Sequence, residues 1–457
     1  MIIKRLILVL LCVFAFMANS ALASEHMQNL QNMLTPAQMK EDINAWQNFV
    51  KKTHPDLSIR IKNIAEFKSS LTAFKQSIIK PMRVNDFLSQ FAQFNSQFND
   101  AHMLVFTRSQ KGLAKEVIKK EGLFPFEVTV NKGKVYLASL LGGSESPYAK
   151  SELITINGQS INAIYNTLIT RMYGDTVKHR ERLLSDKFAL FYWLFVNKTE
   201  HFKLEIKEGA SSQVIEMSAA KILPKSFNSK TFEQTFKFEI LNQQQALLTI
   251  DEFWWQDKKR FYGFTENVFK QLKEKQIQHL IIDVRNNGGG DDDMWKHGIV
   301  KYIANKPYQH TSKYTKKIIA KYMDEGETEG DVVTKLFDRF EQPVKDEPLK
   351  FNGKVSVVVG GYTYSSAILF ANTMQDFGFA EIVGEESAGY SWQTGGIQFF
   401  TLPHSKLKAV TPRFYLVRPS GSQKGLPVTP DKELKDDVLK PTQLIEKIVN
   451  EFNTLAN

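Results

Sequence analysis

The fold of this chain is decided by the stretch LIIDVRNNGGG, residues 280–290. Four of its first five residues are apolar, which predicts a buried parallel strand, and the glycines that follow lead into a helix. A second stretch, VSVVVGGYTYSS at 355–366, repeats this unit and is followed by a predicted helix over 367–376. Alternating strands and helices predict a layered α/β core, which we place at residues 235–440.

The chain before this core divides into two regions. Residues 24–112 are predicted to be helical, with one run of aromatic residues spaced to form a core stripe on a single helix face: Phe87, Phe91, Phe94 and Phe98. Residues 113–225 predict a small β-rich module. Its alternating stretch 151–161 contains an Asn-Gly pair that is typical of a tight β-hairpin turn.

Two further segments complete the plan of the chain. The segment 304–350 is rich in Lys, Asp and Glu and predicts an exposed insertion with helices. Residues 441–457 predict a C-terminal helix. The overall fold class is therefore α/β with several domains, since 457 residues are too many for one ordinary core.

Composition excludes several classes of protein. The chain is 42% hydrophobic and has 34 Phe and 14 Tyr, which excludes a disordered chain. Its single cysteine, Cys12, excludes an intramolecular disulfide framework and a Cys-ligated zinc site. The net charge of +10 is spread along the chain, and no recognition motif accompanies it. We therefore predict a solvated basic surface and no nucleic-acid partner.

The first residues have the pattern of a secretory signal peptide. Lys4 and Arg5 precede an apolar run at 6–16, and Ala-Leu-Ala at 21–23 is a small-x-small cleavage pattern. The run is shorter than the about 20 residues that a membrane span needs. We predict a signal peptide over 1–23, export to the periplasm or the extracellular space, and no integral membrane segment after cleavage.

Two loops follow the predicted strands of the core, where ligands of open α/β sheets bind. The glycines at 288–290 let backbone N–H groups approach an oxyanion, although the loop could equally be a plain connection capped by the carboxylates at 291–293. The serines Ser365 and Ser366 precede a helix, where a serine either caps the helix or acts as a nucleophile beside free amides. Adjacent carboxylates point in different directions and no EF-hand spacing follows, so we predict neither a metal nor a cofactor.

These loops resemble the signature of the C-terminal-processing (tail-specific) serine peptidases. Other segments resemble further parts of the same family, including its tricorn-core-like branch and its peptide-binding PDZ-like module. The matching segments are DVRNNGG (283–289), MQDFG (374–378), LPVTPD (426–431), THPD (53–56), NDAH (99–102) and the hairpin residues ING (156–158).

The resemblance implies a fold and a set of roles. It implies a ClpP/crotonase-like peptidase core, a PDZ-like module at 113–225 and a polypeptide substrate. Aligned on the helix after the serine loop, it implies Ser365 as the nucleophile. It also implies that the amides of Gly288 or Gly289 and of Ser366 stabilise the oxyanion.

The chain departs from the family at the general base. Processing peptidases carry a Lys after a Gly-Glu-x-Thr-x-Gly stretch, whereas Tyr390 follows GEESAG at 384–389 here. The tricorn-like branch uses a histidine before the core, and His102 fits that element. The acid of that branch would fall near Ser422, which carries no carboxylate. The third triad member is therefore unassigned, with three candidates: Glu386, Glu385 and Asp100.

Two functional hypotheses follow. The first is a secreted or periplasmic serine endopeptidase that hydrolyses peptide bonds through an acyl-enzyme on Ser365, with His102 as the base. The second is a catalytically inactive peptide- or ligand-binding protein on the same scaffold. The missing Lys and the unassigned acid motivate the second hypothesis.

Overall fold

A computed structural model describes residues 26–422, 426–437, 439–440 and 442–456. The predicted signal peptide at 1–23 lies outside the described residues. Within these ranges the chain is a mixed α/β protein with several sheets, as predicted. No helix of the described part is long and apolar enough to cross a membrane.

The first region is mainly helical, as expected for 24–112. It starts with a helix at 26–31 and continues with β1 (Met33–Leu34), α1 (Pro36–Thr53), a 3₁₀ turn (Leu57–Ile59), α2 (Ile64–Ser77), β2 (Met82–Arg83), α3 (Val84–Phe91), a 3₁₀ helix (Ala92–Gln97), β3 (Leu104–Phe106) and α4 (Gln110–Lys120). A capping box between Thr35 and Gln38 starts α1. The predicted aromatic stripe is confirmed as core, because all four of its rings are buried, although the helix tightens to 3₁₀ after Phe91.

The second region is a six-stranded antiparallel sheet with two helices. Its elements are β4 (Phe126–Asn131), β5 (Lys134–Leu140), β6 (Glu152–Ile156), β7 (Gln159–Ser160), α5 (Ile161–Ile169), α6 (Val177–Phe195), β8 (His201–Glu208) and β9 (Ser211–Ser218), and a 3₁₀ turn (Lys225–Phe227) follows. The spatial order is β4-β5-β6-β8-β9, with β7 paired to β6. The predicted hairpin is present, with positive φ angles of 50° at Asn157 and 78° at Gly158. The β-rich character is confirmed, whereas the PDZ-like identity stays a prediction.

The third region contains the layered α/β core. Its elements are α7 (Phe232–Thr235), β10 (Phe236–Ile240), β11 (Gln245–Ile250), α8 (Lys258–Glu274), β12 (His279–Asp283), α9 (Asp292–Gly298), a 3₁₀ turn (Val300–Tyr302), β13 (Lys313–Lys317), a 3₁₀ turn (Ala320–Tyr322), β14 (Val332–Leu336), β15 (Lys354–Val359), α10 (Ser366–Asp376), β16 (Glu381–Gly384), β17 (Gln393–Gly395), β18 (Gln398–Thr401), β19 (Lys408–Thr411), β20 (Phe414–Val417), β21 (Lys432–Glu433) and α11 (Gln443–Ala456).

The central sheet has the order β10-β11-β12-β15-β16-β21 and is parallel except at β10. The apolar run of β12 is buried, because alternate side chains face helices on the two sides of the sheet. Leu280 and Ile282 pack in the cluster that includes side chains of α8 and α10, whereas Ile281 packs towards Leu444 and Ile448 of α11. This arrangement confirms the buried parallel strand and the layered core.

Two smaller antiparallel sheets flank the central sheet, with the orders β14-β13-β20-β17 and β18-β19-β3. The expectation of helices in the insertion 304–350 is wrong in the main, because its regular part is the β13–β14 hairpin. The strand β13 is completed by β20, which lies about a hundred residues further along and is invisible to a local pattern. The pairing of β3 with β19 joins the first region to the third.

Candidate active site

The loop that carries Ser365 is fastened to the glycine loop by backbone and hydroxyl contacts. The hydroxyl of Thr363 donates to the carbonyl of Val284 at 2.9 Å, and the amide of Tyr364 donates to the carbonyl of Asn287 at 3.0 Å. Ser365 itself has φ 53° and ψ −123°, a backbone conformation that non-glycine residues avoid. Strain of this kind persists where the surroundings enforce it, and it often marks a functional position.

A close approach of the two loops requires a glycine at 289. Gly289 has φ 107°, and a Cβ there would lie 2.7 Å from the Cβ of Ser365. The amide of Gly289 donates to the side-chain carbonyl of Asn287 at 2.8 Å. Gly288 is exposed, and its amide donates to no acceptor within the described residues. Of the predicted oxyanion donors in this loop, Gly288 is therefore the one with a free N–H.

The two adjacent serines have different environments. Ser366 is buried, and its hydroxyl donates to the carboxylate of Asp292 and accepts from the indole N–H of Trp295 at 3.0 Å. The hydroxyl of Ser365 makes no helix-capping hydrogen bond, although Ser365 stands at the N-cap of α10. The N–H of Ser366 lies in the first turn of α10, where a helix offers no internal acceptor. The side chain of Ser365 and the amide of Ser366 are thus both available at one helix start.

His102 lies in a buried group of polar side chains. Its Nδ1 is 3.0 Å from the hydroxyl oxygen of Thr394, which in turn donates to Oδ1 of Asp100 at 2.9 Å. The same Oδ1 accepts the backbone N–H of His102 at 2.8 Å, whereas the direct separation of Nδ1 from Oδ1 is 3.9 Å. Burial lowers the pKa of His102, so its imidazole is neutral at pH 7.

The ring of Tyr364, the residue before Ser365, packs against His102. Its ring centroid is 4.9 Å from that of His102 and 4.6 Å from that of His179, and Ser365 is the next residue. The hydroxyl of Tyr364 lies 3.4 Å from Nδ1 of His102 and 3.4 Å from Oδ1 of Asp100. His102 therefore packs against the residue that precedes Ser365, although His102 and Ser365 are 263 positions apart in the sequence.

Sequence reasoning missed a second buried carboxylate near the histidine. Asp175 accepts the amide of Ala101 at 2.9 Å and the amide of Tyr390 at 3.2 Å, and it lies 3.5 Å from Arg60. Burial, and next the charge of Asp175, raise the pKa of Asp100. No local signal marks Asp175, because its partners come from three distant parts of the chain.

The three acid candidates occupy different places. Asp100 approaches His102 through Thr394, as described above. Glu385 pairs with Lys178 at 2.5 Å and accepts the amide of Asp436 at 3.1 Å, and Glu386 is exposed. Across the described residues, neither glutamate makes a contact with the imidazole. The structure brings only Asp100 into the network of His102.

Tyr390 occupies the place at which the processing peptidases carry their Lys. Burial raises the pKa of its phenol, which keeps the hydroxyl protonated at neutral pH. No cluster of three or more His, Cys, Asp or Glu side chains within the described ranges is placed to hold a metal ion. Tyr390 is therefore a poor base at neutral pH, and His102 stays the predicted one.

Ser365 lines a cavity of about 980 Å³. Ser365, Thr394 and residues of the β13–β14 hairpin, among them Lys316 and Leu336, line this cavity. Its volume is at the upper end of the range of common ligand pockets. The insertion 304–350 therefore forms part of the site, a role that its charged composition did not reveal.

The motif at 426–431 has a structural role. The carboxylate of Asp431 accepts the amide of Ile382 in β16 at 2.8 Å and the side-chain amide of Gln375 in α10 at 2.8 Å. It thereby ties the helix that begins at the serine loop to the neighbouring strand. Asp283 is likewise structural, because it pairs with Arg285 at 3.0 Å.

The model of peptidase family S41 matches residues 244–434. These residues belong to peptidase family S41. The S41 domain contains the glycine loop, the serine loop and the closing motif, so the resemblance to C-terminal-processing peptidases is confirmed at the level of the family. The chain thus carries a serine peptidase domain, whereas His102 and Asp100 lie before it.

Solved structures are similar over most of the chain. Mature CPAF complexed with lactacystin has a TM-score of 0.66 and 12% identity, covering 92% of this chain and 98% of that chain. A mutant of CPAF has a TM-score of 0.65 and 14% identity, covering 89% and 94%. The photosystem II D1 C-terminal processing protease has a TM-score of 0.46 and 14% identity, covering 87% and 93%. No curated protein sequence matches the chain. At these identities the CPAF structures establish a shared fold alone.

Proposed function

We propose that this protein is an exported serine endopeptidase that cleaves polypeptides through an acyl-enzyme on Ser365. His102 is the general base, and the amides of Gly288 and Ser366 bind the oxyanion. The observation that carries the proposal is the position of Ser365. Its uncapped hydroxyl stands on a strained backbone at the cavity, at the start of α10 and next to the residue that packs against His102.

The roles follow from the chemistry of acyl transfer. Nε2 of His102 takes the proton of the Ser365 hydroxyl as Oγ attacks the peptide carbonyl, and the two amides stabilise the negative oxygen of the tetrahedral intermediate. The imidazolium then gives the proton to the leaving amine, which breaks the C–N bond and leaves an ester on Ser365. Water, activated by the same imidazole, hydrolyses that ester.

Hydrolysis of fluorescein-labelled casein by the purified protein tests this function. We expect turnover by the parental protein and none above background for Ser365→Ala. Ser366→Ala is the matched control, because it removes the neighbouring hydroxyl but keeps the amide, and it should retain measurable turnover. An inactive parental protein that binds casein equally well with and without Ser365→Ala would instead support the binding-protein hypothesis.

Export is supported by the residue pattern at 1–23 alone. If the signal peptide is cleaved after residue 23, the mature chain begins at Ser24. Intact-mass analysis of the protein from a periplasmic or culture-medium fraction measures this end directly. A protein that keeps residues 1–23 and stays in the cytoplasm would reject the export part of the proposal.

Peptide recognition by the module at 113–225 is a separate part of the proposal. The strand β9 is an edge of its sheet, with Val214 56% exposed, and an extended peptide can add to such an edge. Calorimetry with casein-derived peptides and the Ser365→Ala variant, with and without Val214→Asp, tests the recognition. Unchanged affinity would reject recognition at this edge.

A further inference from the structure

The imidazole of His102 contacts a hydroxyl that comes from a distant part of the chain. Thr394 lies in the short edge strand β17, and its register is fixed by pairing with Tyr415 of β20. Its side chain is 3% exposed and stands between Nδ1 of His102 and Oδ1 of Asp100. The direct distance of 3.9 Å between those two atoms is too long for a hydrogen bond.

Asp100 fixes the donors and acceptors in this chain of hydrogen bonds. Oδ1 of Asp100 receives the backbone N–H of His102 at 2.8 Å, so this oxygen acts as an acceptor. The hydroxyl of Thr394 therefore donates its single hydrogen to Asp100 and can only accept from the imidazole. Nδ1 of His102 must then carry a hydrogen, which leaves the lone pair on Nε2, the atom required of a general base.

We propose that Thr394 is the positioning residue of the site, and that its hydroxyl links the carboxylate of Asp100 to His102 through two hydrogen bonds. We call this link the relay. The relay holds the imidazole in the Nδ1–H tautomer and stabilises the imidazolium that forms when Ser365 loses its proton. This inference rests on the proposed role of His102 as the base. It assigns the orienting acid to Asp100 and leaves Glu385 and Glu386 outside the network.

The alternative is that Thr394 only fills space between β17 and the histidine loop. Thr394→Val separates the two roles, because valine has nearly the same shape and lacks the hydroxyl. Thr394→Ser is the rescue variant, since it keeps the hydroxyl and loses a methyl group. Thr411→Val is the matched control: Thr411 is a fully buried threonine of the nearby strand β19, and its hydroxyl has no partner among the described residues.

The kinetic test is the second-order rate of labelling by a fluorophosphonate, which needs the base but no peptide binding. We expect Thr394→Val to lower this rate by about 10²-fold or more, the size of a general-base contribution. Thr394→Ser should restore it to within about tenfold of the parental rate, and Thr411→Val should leave it unchanged. A parental rate in folded Thr394→Val, with His102→Ala inactive, would overturn the relay alone. A parental rate in His102→Ala would overturn the proposed base.

A spectroscopic test reports the tautomer of His102 independently of any rate measurement. Nitrogen NMR of ¹⁵N-histidine-labelled protein, with His102 assigned by its loss in His102→Ala, reports which ring nitrogen carries the hydrogen. We expect Nδ1–H in the parental protein at neutral pH, and a shift towards Nε2–H in Thr394→Val. The Nε2–H tautomer in the parental protein would contradict the relay.

Discussion

The serine half and the histidine half of the site are built in different ways. The serine half consists of the two loops that follow β12 and β15, and backbone contacts such as that of Tyr364 with Asn287 hold it together. The histidine half consists of the loop at 99–103 and its partners. Side-chain contacts with two buried carboxylates, Asp100 and Asp175, hold this half. Backbone contacts thus hold the loop of the proposed nucleophile, whereas contacts with buried carboxylates hold the loop of the proposed base.

Contacts with distant parts of the chain attach the histidine half. The guanidinium of Arg60 lies over both Tyr390 and Trp392, 4.5 Å from each ring centroid, and beside Asp175. The neighbouring strand β3 pairs with β19 of the third region. The loop of His102, the proposed base, is thus held by contacts between the first and third regions, whereas the serine loop is complete within the third region.

The largest expected effect comes from removing the base itself. His102→Ala should keep the serine half intact and lower casein turnover by about 10⁴-fold, because the loss of one triad member typically costs that much. Initial rates measure the loss, and circular dichroism checks the fold. Near-parental turnover in a folded variant would show that the serine half works with a different base.

The next largest effect is expected from adding a side chain where the glycine loop and the serine loop are in close contact. Gly289→Ala places a methyl group 2.7 Å from the Cβ of Ser365 at a positive φ, so the serine loop must shift away from its amides. We expect turnover to fall by about 10²- to 10³-fold, as when an oxyanion donor is lost. Gly288→Ala is the control, since a Cβ there meets no atom within 4 Å and the amide is kept. Equal rates for the two variants would contradict the geometry of the serine half.

The pH dependence tests the electrostatics of the histidine half. A protonated imidazole cannot accept the serine proton, so turnover must fall as the pH drops through the pKa of His102. Burial lowers that pKa below its ordinary value of about 6.5, and the acid limb of the rate should therefore lie below pH 6.5, with a plateau at neutral pH. Rates from pH 4 to 8 measure this limb. A midpoint above pH 7 would show that the imidazole is charged at neutral pH and would contradict the account.

The smallest expected effect concerns the hydroxyl at the junction of the two halves. The hydroxyl of Tyr364 is 3.4 Å from its partners, whereas Thr394 is 3.0 Å from the imidazole. Tyr364→Phe keeps the ring that packs against His102 and should lower the fluorophosphonate rate by less than about tenfold. A loss of a hundredfold would mean that Tyr364, and not Thr394, supports the imidazole.

The same contrast decides what could be predicted from the sequence. The strand β12, the glycine loop and the start of α10 are local patterns, and apolar runs followed by turn residues predict them directly. The resemblance to the peptidase family selects Ser365 over Ser366 as the nucleophile. The structure supplies a physical reason, since Asp292 and Trp295 form hydrogen bonds with the hydroxyl of Ser366.

The remainder of the site depends on contacts between distant residues. Nothing near Thr394 in the sequence indicates that it faces His102, because β20 sets its register and the first region supplies its partners. The sequence of the segment 304–350 predicts helices, but the structure has the β13–β14 hairpin there. The sheet of this hairpin is completed only by β20, which a local pattern does not include. Long-range pairing of this kind leaves no periodic pattern in a single sequence.

The position of a covalent adduct tests most directly whether Ser365 is the nucleophile. The purified protein is treated with a fluorophosphonate at neutral pH, digested, and analysed by tandem mass spectrometry over the peptide that contains both adjacent serines. We expect a single adduct on Ser365, absent from Ser365→Ala and retained in Ser366→Ala. An adduct on Ser366, or no adduct on the folded parental protein, would contradict it.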